Sequence, residues 1–218
     1  MTDTIKVTKV AESKINGAWK KPEIVPYGPI SMDPSAKVFH YGQAVFEGMK
    51  AYKDDNGKIF MFRPEENFNR INKSSERLAM PAFEKDYFFD GLNTLLNLES
   101  DWIKPGKDNS LYLQYSRSAD GGVGFAKAAG NYAAQFYPTE LAKKRGYQQV
   151  VWTDANTHEY LEEAGTMNVF FRVGDKLLTA PTSDRILDGI TRKSLIELAK
   201  SEGIDVEVRP VKVSEIVE

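Results

Sequence analysis

Two spacings of apolar residues share the 218-residue chain. Where they alternate with polar residues, or run briefly between turn residues, they predict strands. Such segments fall at 5–10, 23–29, 37–41, 148–153, 166–173, 176–179 and 204–211, and another begins at Ser110. The clearest case pairs Gly48-Met49-Lys50-Ala51-Tyr52-Lys53 with Lys58-Ile59-Phe60-Met61-Phe62 across Asp54-Asp55-Asn56-Gly57. That is a hairpin signature. A second hairpin turns at Gly174-Asp175, and Lys14-Ile15-Asn16-Gly17-Ala18-Trp19 reads as a turn.

The other spacing is helical. Phe68, Ile71, Ser75 and Leu78 predict a helix over 63–78, opened by Pro64 with acids beside it. Arg70 lies next to that apolar stripe. Phe88, Phe89, Leu92, Leu95 and Leu96 predict a helix over 85–98. A third is expected from a cap at Asn131 to Gly146, divided by Pro138. A fourth runs from Thr191 to Ser201 and closes at Gly203. Hairpins mixed with helices predict an α+β (mixed α/β) fold rather than regular βαβ units.

Composition narrows the function classes. Hydrophobic residues make up 41% and aromatics 11%, enough for a core. A net charge of -2 argues against partners recognised by bulk charge, so no nucleic acid and no membrane are expected. There is no cysteine, which excludes disulfides and thiolate zinc sites. The N-terminus has no apolar signal segment and no stretch is long enough to span a bilayer, so a cytoplasmic location is expected. His40 and His158 lack metal-ligand spacing and read as structural or surface residues; no metal is expected. No P-loop, nucleophile elbow or dinucleotide fingerprint is present.

Chemistry gathers around Lys127, a lone lysine within Gly121-Gly122-Val123-Gly124-Phe125-Ala126-Lys127-Ala128-Ala129-Gly130. In a dry site its amine would lose its proton and become a nucleophile. Glu163 stands before an apolar run. Gly189-Ile190-Thr191 opens a helix, where free N–H groups favour a phosphate. Arg70 could grip an anion. Each alone reads more simply as a solvated or capping residue. Together they supply what pyridoxal 5'-phosphate needs: an amine, an acid for the pyridine nitrogen and a phosphate grip.

Four motifs then carry a resemblance. They are His40-Tyr41-Gly42-Gln43-Ala44-Val45-Phe46-Glu47-Gly48-Met49-Lys50-Ala51, Gly124-Phe125-Ala126-Lys127-Ala128-Ala129-Gly130-Asn131-Tyr132, Glu163-Ala164-Gly165-Thr166-Met167-Asn168 and Leu187-Asp188-Gly189-Ile190-Thr191-Arg192. In this order they resemble the branched-chain amino acid aminotransferases of fold-type IV, over nearly the whole chain. The resemblance implies two domains, a small N-terminal α/β domain at 1–113 and a larger pseudo-barrel cofactor domain at 114–218, incomplete at its C-terminus. It implies transamination of leucine, isoleucine and valine with 2-oxoglutarate, and a homodimer. Lys127 matches the Schiff-base lysine and Glu163 the acid facing the pyridine nitrogen. Tyr132 matches the tyrosine at the ring oxygen and Arg70 the phosphate arginine. Ile190 and Thr191 match the helix-start cradle, and Arg117 and Thr166 further cofactor contacts. Tyr41, Phe46 and Tyr112 match side chains of the substrate pocket.

The chain also departs from the family. Residues are missing near Ile15–Asn16 and near Leu113–Tyr115, where Gln114 replaces an expected arginine, and the chain ends before a Gly-Thr loop. The expectation is that it joins ordered segments of a longer sequence. A D-amino acid aminotransferase, an aminodeoxychorismate lyase, or a catalytically silent paralogue acting as a binding module are the alternatives.

Overall fold

A short antiparallel ribbon, β1 (Ile5–Thr8) with β2 (Glu23–Pro26), begins the chain. The computed structural model describes residues 5–8, 23–29, 31–106, 109–117, 126–133, 135–154, 156–183 and 185–217; of 5–8, 113–117 and 217 it describes the backbone. The turn expected at 14–19 and the glycines at 121–124 lie outside these residues. The chain divides into two compact units, Met1–Gly121 and Gly122–Glu218.

In the first unit the segment expected as a strand at 37–41 is a helix, α1 (Lys37–Tyr41). Its Val-Phe-His-Tyr composition favours a strand, but both flanks impose a turn. The Asp33 carboxylate accepts hydrogen bonds from the N–H and hydroxyl of Ser35 (both 2.7 Å), and Ala36 N–H donates to Asp33 O (2.9 Å). At the other end Gly42 adopts φ 62°, a left-handed stop that suits glycine.

The expected hairpin forms as β3 (Val45–Lys53) and β4 (Ile59–Met61), with Lys53 opposite Ile59. Along β3, Val45, Glu47, Met49 and Ala51 are buried, while Phe46, Gly48, Lys50 and Tyr52 point the other way. The buried face packs on α2 (Pro64–Arg77), whose Phe68 and Ile71 face inward as their spacing predicts. α3 (Lys85–Leu98) buries Phe88, Leu92 and Leu96. Phe68 meets Phe88 edge-on, with centroids 5.2 Å apart. After a 3-10 turn at Ser100–Trp102, β5 (Leu111–Arg117) returns along the free edge of β3. β5 is continuous through 113–115, so the three-stranded sheet runs β4-β3-β5.

The second unit starts with α4 (Ala129–Ala133) and α5 (Phe136–Lys144). The helix expected over 131–146 is divided, as expected, but not at Pro138. The division lies ahead of Pro138, which occupies the third position of α5, where its missing N–H breaks no helical bond. Asn131 lies inside α4 rather than capping it, and its amide donates to Ala126 O (3.0 Å).

β6 (Val151–Thr153) and β7 (Tyr160–Ala164) pair antiparallel around Asp154. The Asp154 carboxylate collects the N–H groups of Thr157 (2.7 Å), Tyr160 (3.0 Å) and Asn156 (3.2 Å). These bonds, Tyr160 foremost, hold its carboxyl well below the usual range. β7, which precedes the apolar run at 166–173, is the central strand of a sheet whose third strand is β11 (Val211–Lys212), in the order β11-β7-β6.

β8 (Phe171–Val173) and β9 (Lys176–Thr179) form the second expected hairpin. α6 (Ile190–Ser201) then crosses over, so that β10 (Asp205–Val208) lies parallel to β9. Arg209-Pro210 separates β10 from β11 (Val211–Lys212), dividing the single strand expected over 204–211, and α7 (Ser214–Val217) follows. Leu178, Ala164, Val211, Ile190 and Ala199 are buried in this unit.

Candidate functional site

Gly189 stands at the start of α6 in an extended conformation (φ -72°, ψ 128°), and no side chain caps the helix. Gly189 has no side chain to accept from the first N–H groups of this 12-residue helix, those of Ile190 and Thr191. Such a terminus carries a partial positive charge and presents donors to an anion. Ile190 is buried and anchors the first turn, while Thr191 is exposed. Arg192 is buried and its Nη2 donates to Ala180 O (2.7 Å), tying that turn to the end of β9.

Glu163 sits near the end of β7, its neighbour Glu162 paired with Arg185 (2.7 Å). The Glu163 carboxylate accepts from Leu187 N–H (3.2 Å) and from Asn168 Nδ2 (3.2 Å). Burial pushes its carboxyl above the ordinary range, and nearby Glu162 adds to this. The Leu187 N–H and the Lys127 ammonium pull the other way. Glu163 is thus a desolvated acid whose charge asks for a cation.

Lys127 is half-buried between two fully buried alanines, Ala126 and Ala128. Ala128 N–H donates to Ala126 O (2.8 Å), closing a three-residue turn with Lys127 at its apex. Its Nζ lies 3.5 Å from the Tyr132 hydroxyl and 5.4 Å from the centroid of that ring. One helical turn at α4 thus brings the amine and the phenol together. Thr166, exposed in the turn after β7, accepts from Gln149 Nε2 (3.4 Å).

Asn168 and Gly189 complete this cluster; Gly189 was read from the sequence as part of the helix start, whereas Asn168 was given no role. Asn168 Nδ2 donates to Leu187 O (2.9 Å) as well as to Glu163. Its Oδ1 lies against Gly189, where a Cβ would stand 1.9 Å away. Their place in two of the four motifs was the available signal.

In the first unit, Arg70 points from α2 to β3. Its Nε donates to Glu47 Oε2 (2.8 Å) and its Nη2 to Glu47 Oε1, while Asn67 Nδ2 adds a third bond to that carboxylate (3.1 Å). Glu47 is fully buried. Phe46 and Tyr112 share the open face of the sheet, where the Tyr112 hydroxyl lies over Gly48. Tyr41 ends α1 and is exposed. The Arg117 backbone belongs to β5; its side chain lies outside the described residues. His40 Nε2 meets Pro34 O (2.8 Å) and His158 Nδ1 the Thr153 hydroxyl (3.3 Å), and both histidines are exposed. Among the described residues no group of three His, Cys, Asp or Glu could hold a metal, and no helix is long and apolar enough to cross a membrane.

Residues 126–218 match the family described as Amino-transferase class IV. The branched-chain-amino-acid transaminase 1 of Bacillus subtilis (strain 168) is 38% identical, over 91% of this chain and 68% of its own. A probable branched-chain-amino-acid aminotransferase of Staphylococcus aureus (strain N315) is 42% identical, over 92% and 68%. The alignment to branched-chain-amino-acid aminotransferase 2 of B. subtilis extends over 262 residues while taking in 100% of this chain, so that relative carries internal residues this one lacks. Among solved structures, the branched-chain amino acid aminotransferase of Thermobaculum terrenum in its PLP-form superposes with a TM-score of 0.73 at 23% identity, over 89% of this chain and 76% of that one. The Escherichia coli enzyme gives 0.71 at 22%, over 88% and 76%.

Proposed function

The chain belongs to the branched-chain amino acid aminotransferases of class IV and fold-type IV, and we propose that the cluster around Lys127 is where it carries out their reaction. The protein transaminates branched-chain amino acids. The finer reading is that the amino group of leucine, isoleucine or valine passes to 2-oxoglutarate, giving the branched-chain 2-oxo acid and L-glutamate. A homodimer in the cytoplasm is the proposed setting.

The observation that carries the site is the grouping in one unit of an amine, a phenol, a desolvated acid and an uncapped helix start. That donor set fits pyridoxal 5'-phosphate. Lys127 would hold its aldehyde carbon and Glu163 its pyridine nitrogen. Tyr132 would hold its ring oxygen, the N–H groups of Ile190 and Thr191 its phosphate, and Thr166 would line the site. Arg70 and Arg117 are proposed as further cofactor contacts, and Tyr41, Phe46 and Tyr112 as substrate contacts. When bound, the cofactor supplies an electron-accepting ring for the charge that develops at the substrate Cα.

Lys127 is the general base that takes the Cα proton and the general acid that returns one. The Tyr132 hydroxyl, beside its Nζ, orients the amine and accepts a hydrogen bond from it. Glu163 holds a proton at the ring nitrogen, because a desolvated carboxylate is most stable against a cation. As the proposed substrate contacts, Tyr41, Phe46 and Tyr112 would favour aliphatic side chains, although one methylene discriminates by only about 1–3 kcal/mol. Lys127→Ala is the deciding experiment. The variant is expected to lose leucine–oxoglutarate exchange completely; exchange at the wild-type rate would overturn the assignment.

A further inference from the structure

The Asn168 amide touches both Glu163 and the segment leading into α6. Its nitrogen faces two acceptors, Glu163 Oε2 at 3.2 Å and Leu187 O at 2.9 Å. Because both neighbours accept, the nitrogen and not the oxygen must point there. Leu187 answers through its own N–H, which donates to the same Glu163 oxygen (3.2 Å). Three groups from β7, the turn after it and the segment before α6 thus close one small hydrogen-bonded ring.

The other end of the amide explains Gly189. Asn168 Oδ1 rests where a Cβ on Gly189 would stand 1.9 Å away, and the Asn168 Cγ would be at 3.1 Å. Any larger residue at the start of α6 would displace the amide. Gly189 also begins the helix whose N–H groups form the phosphate cradle.

We propose that Asn168 is a positioning residue that fixes the Glu163 carboxylate relative to the start of α6, so that the acid for the pyridine nitrogen and the cradle for the phosphate are held as one block. This rests on the assignment of Glu163 and the Ile190–Thr191 turn to a cofactor site. The two groups would hold one molecule at two points, its pyridine nitrogen and its phosphate, so their spacing bears on how well that molecule fits. A carboxylate at the end of three rotatable side-chain bonds would not hold that spacing alone. Charges facing Glu163 are Lys127 and Glu162, the latter bound to Arg185; at the α6 end Asp188 is paired with Lys193 (2.9 Å).

The test uses the full chain, pyridoxal 5'-phosphate as probe, and two variants whose folding is followed by circular dichroism. Asn168→Asp keeps the shape but sets a carboxylate against Glu163 and Leu187 O. Asn168→Ala removes the amide. Both are expected to weaken cofactor binding by about 10–100-fold at pH 8, and to move the pH at which the bound cofactor's absorbance titrates. Asn168→Asp alone should recover part of its affinity at pH 6, where a shared proton restores a donor between the two carboxyls. Binding within twofold of wild type in Asn168→Asp, or weakening without recovery at pH 6 and with an unchanged absorbance titration, overturns the positioning role. A wild-type chain that binds no pyridoxal 5'-phosphate overturns the assignment of the site itself, and this inference with it.

Discussion

The hydroxyl of Tyr112 lies across Gly48, so close that a Cβ there would stand 2.2 Å from it. The two residues are diagonal neighbours on paired strands: Lys50 is opposite Tyr112, and Gly48 opposite Gln114. Gly48→Ala must swing the ring aside. Tyr112 is 55% exposed, so its ring can move, and stability should stay within about 1 kcal/mol of wild type. If Tyr112 borders the substrate, KM for leucine rises while the affinity for pyridoxal 5'-phosphate is unchanged. Steady-state kinetics beside a cofactor titration checks this.

Glu47 and Arg70 are unequal partners. The Glu47 side chain is 0% exposed and that of Arg70 15%. Arg70→Ala would strand a buried carboxylate with Asn67 as its remaining side-chain donor, whereas after Glu47→Ala the guanidinium can turn toward water. Loss of the arginine is therefore expected to cost more, about 3–5 kcal/mol. Urea unfolding of both variants at neutral pH gives the order directly.

Glu163 should make the cofactor-free chain less stable as pH rises. Its carboxyl is pushed up in the folded state, so the folded chain binds more protons than the unfolded one above the ordinary glutamate range of about 4.3. The stability is fully present below that range and declines as pH climbs through the raised value. Glu163→Gln removes the titration and keeps an acceptor for Leu187 and Asn168. Its melting temperature relative to wild type should be higher at pH 7 than at pH 4, and its transaminase activity lower.

Asp154 has the opposite sign. Its carboxyl is held down by the Tyr160 and Thr157 N–H groups, so it stabilises the folded chain above about pH 4 and the effect is lost on acidification. Asn at this position keeps one acceptor and gives up the charge. Asp154→Asn should melt lower than wild type at pH 7, and the gap should close as pH falls below about 4. Thermal melts over that range decide it.

Much of this arrangement is legible without coordinates because its cues are local. α2 and α3 follow from apolar residues at helical spacing, α6 from its Gly-Ile-Thr start and its close at Gly203, and the β3–β4 hairpin from its Asp-Asp-Asn-Gly turn. The misreadings come from interactions that local composition does not encode. Lys37–Tyr41 has strand-forming side chains, but the Asp33 turn and Gly42 bend it into a helix. Tyr160–Ala164 carries two glutamates and looks solvated, yet β6 and β11 pair with it from either side. The ring at Asn168 was hidden for the same reason, since it closes onto Leu187, 19 positions along the chain.

The parallel pairing of β9 with β10 gives α6 a second part to play. Asp205 can reach Lys176 only after the helix has crossed between them, and pairings of that range form late in folding. A ligand that clamps the start of α6 would therefore suppress the opening of β9, α6 and β10 together. Backbone amides of Val206 and Val208, which belong to no proposed contact, should then exchange with deuterium more slowly once the cofactor is bound, turning a distant strand into a reporter of occupancy.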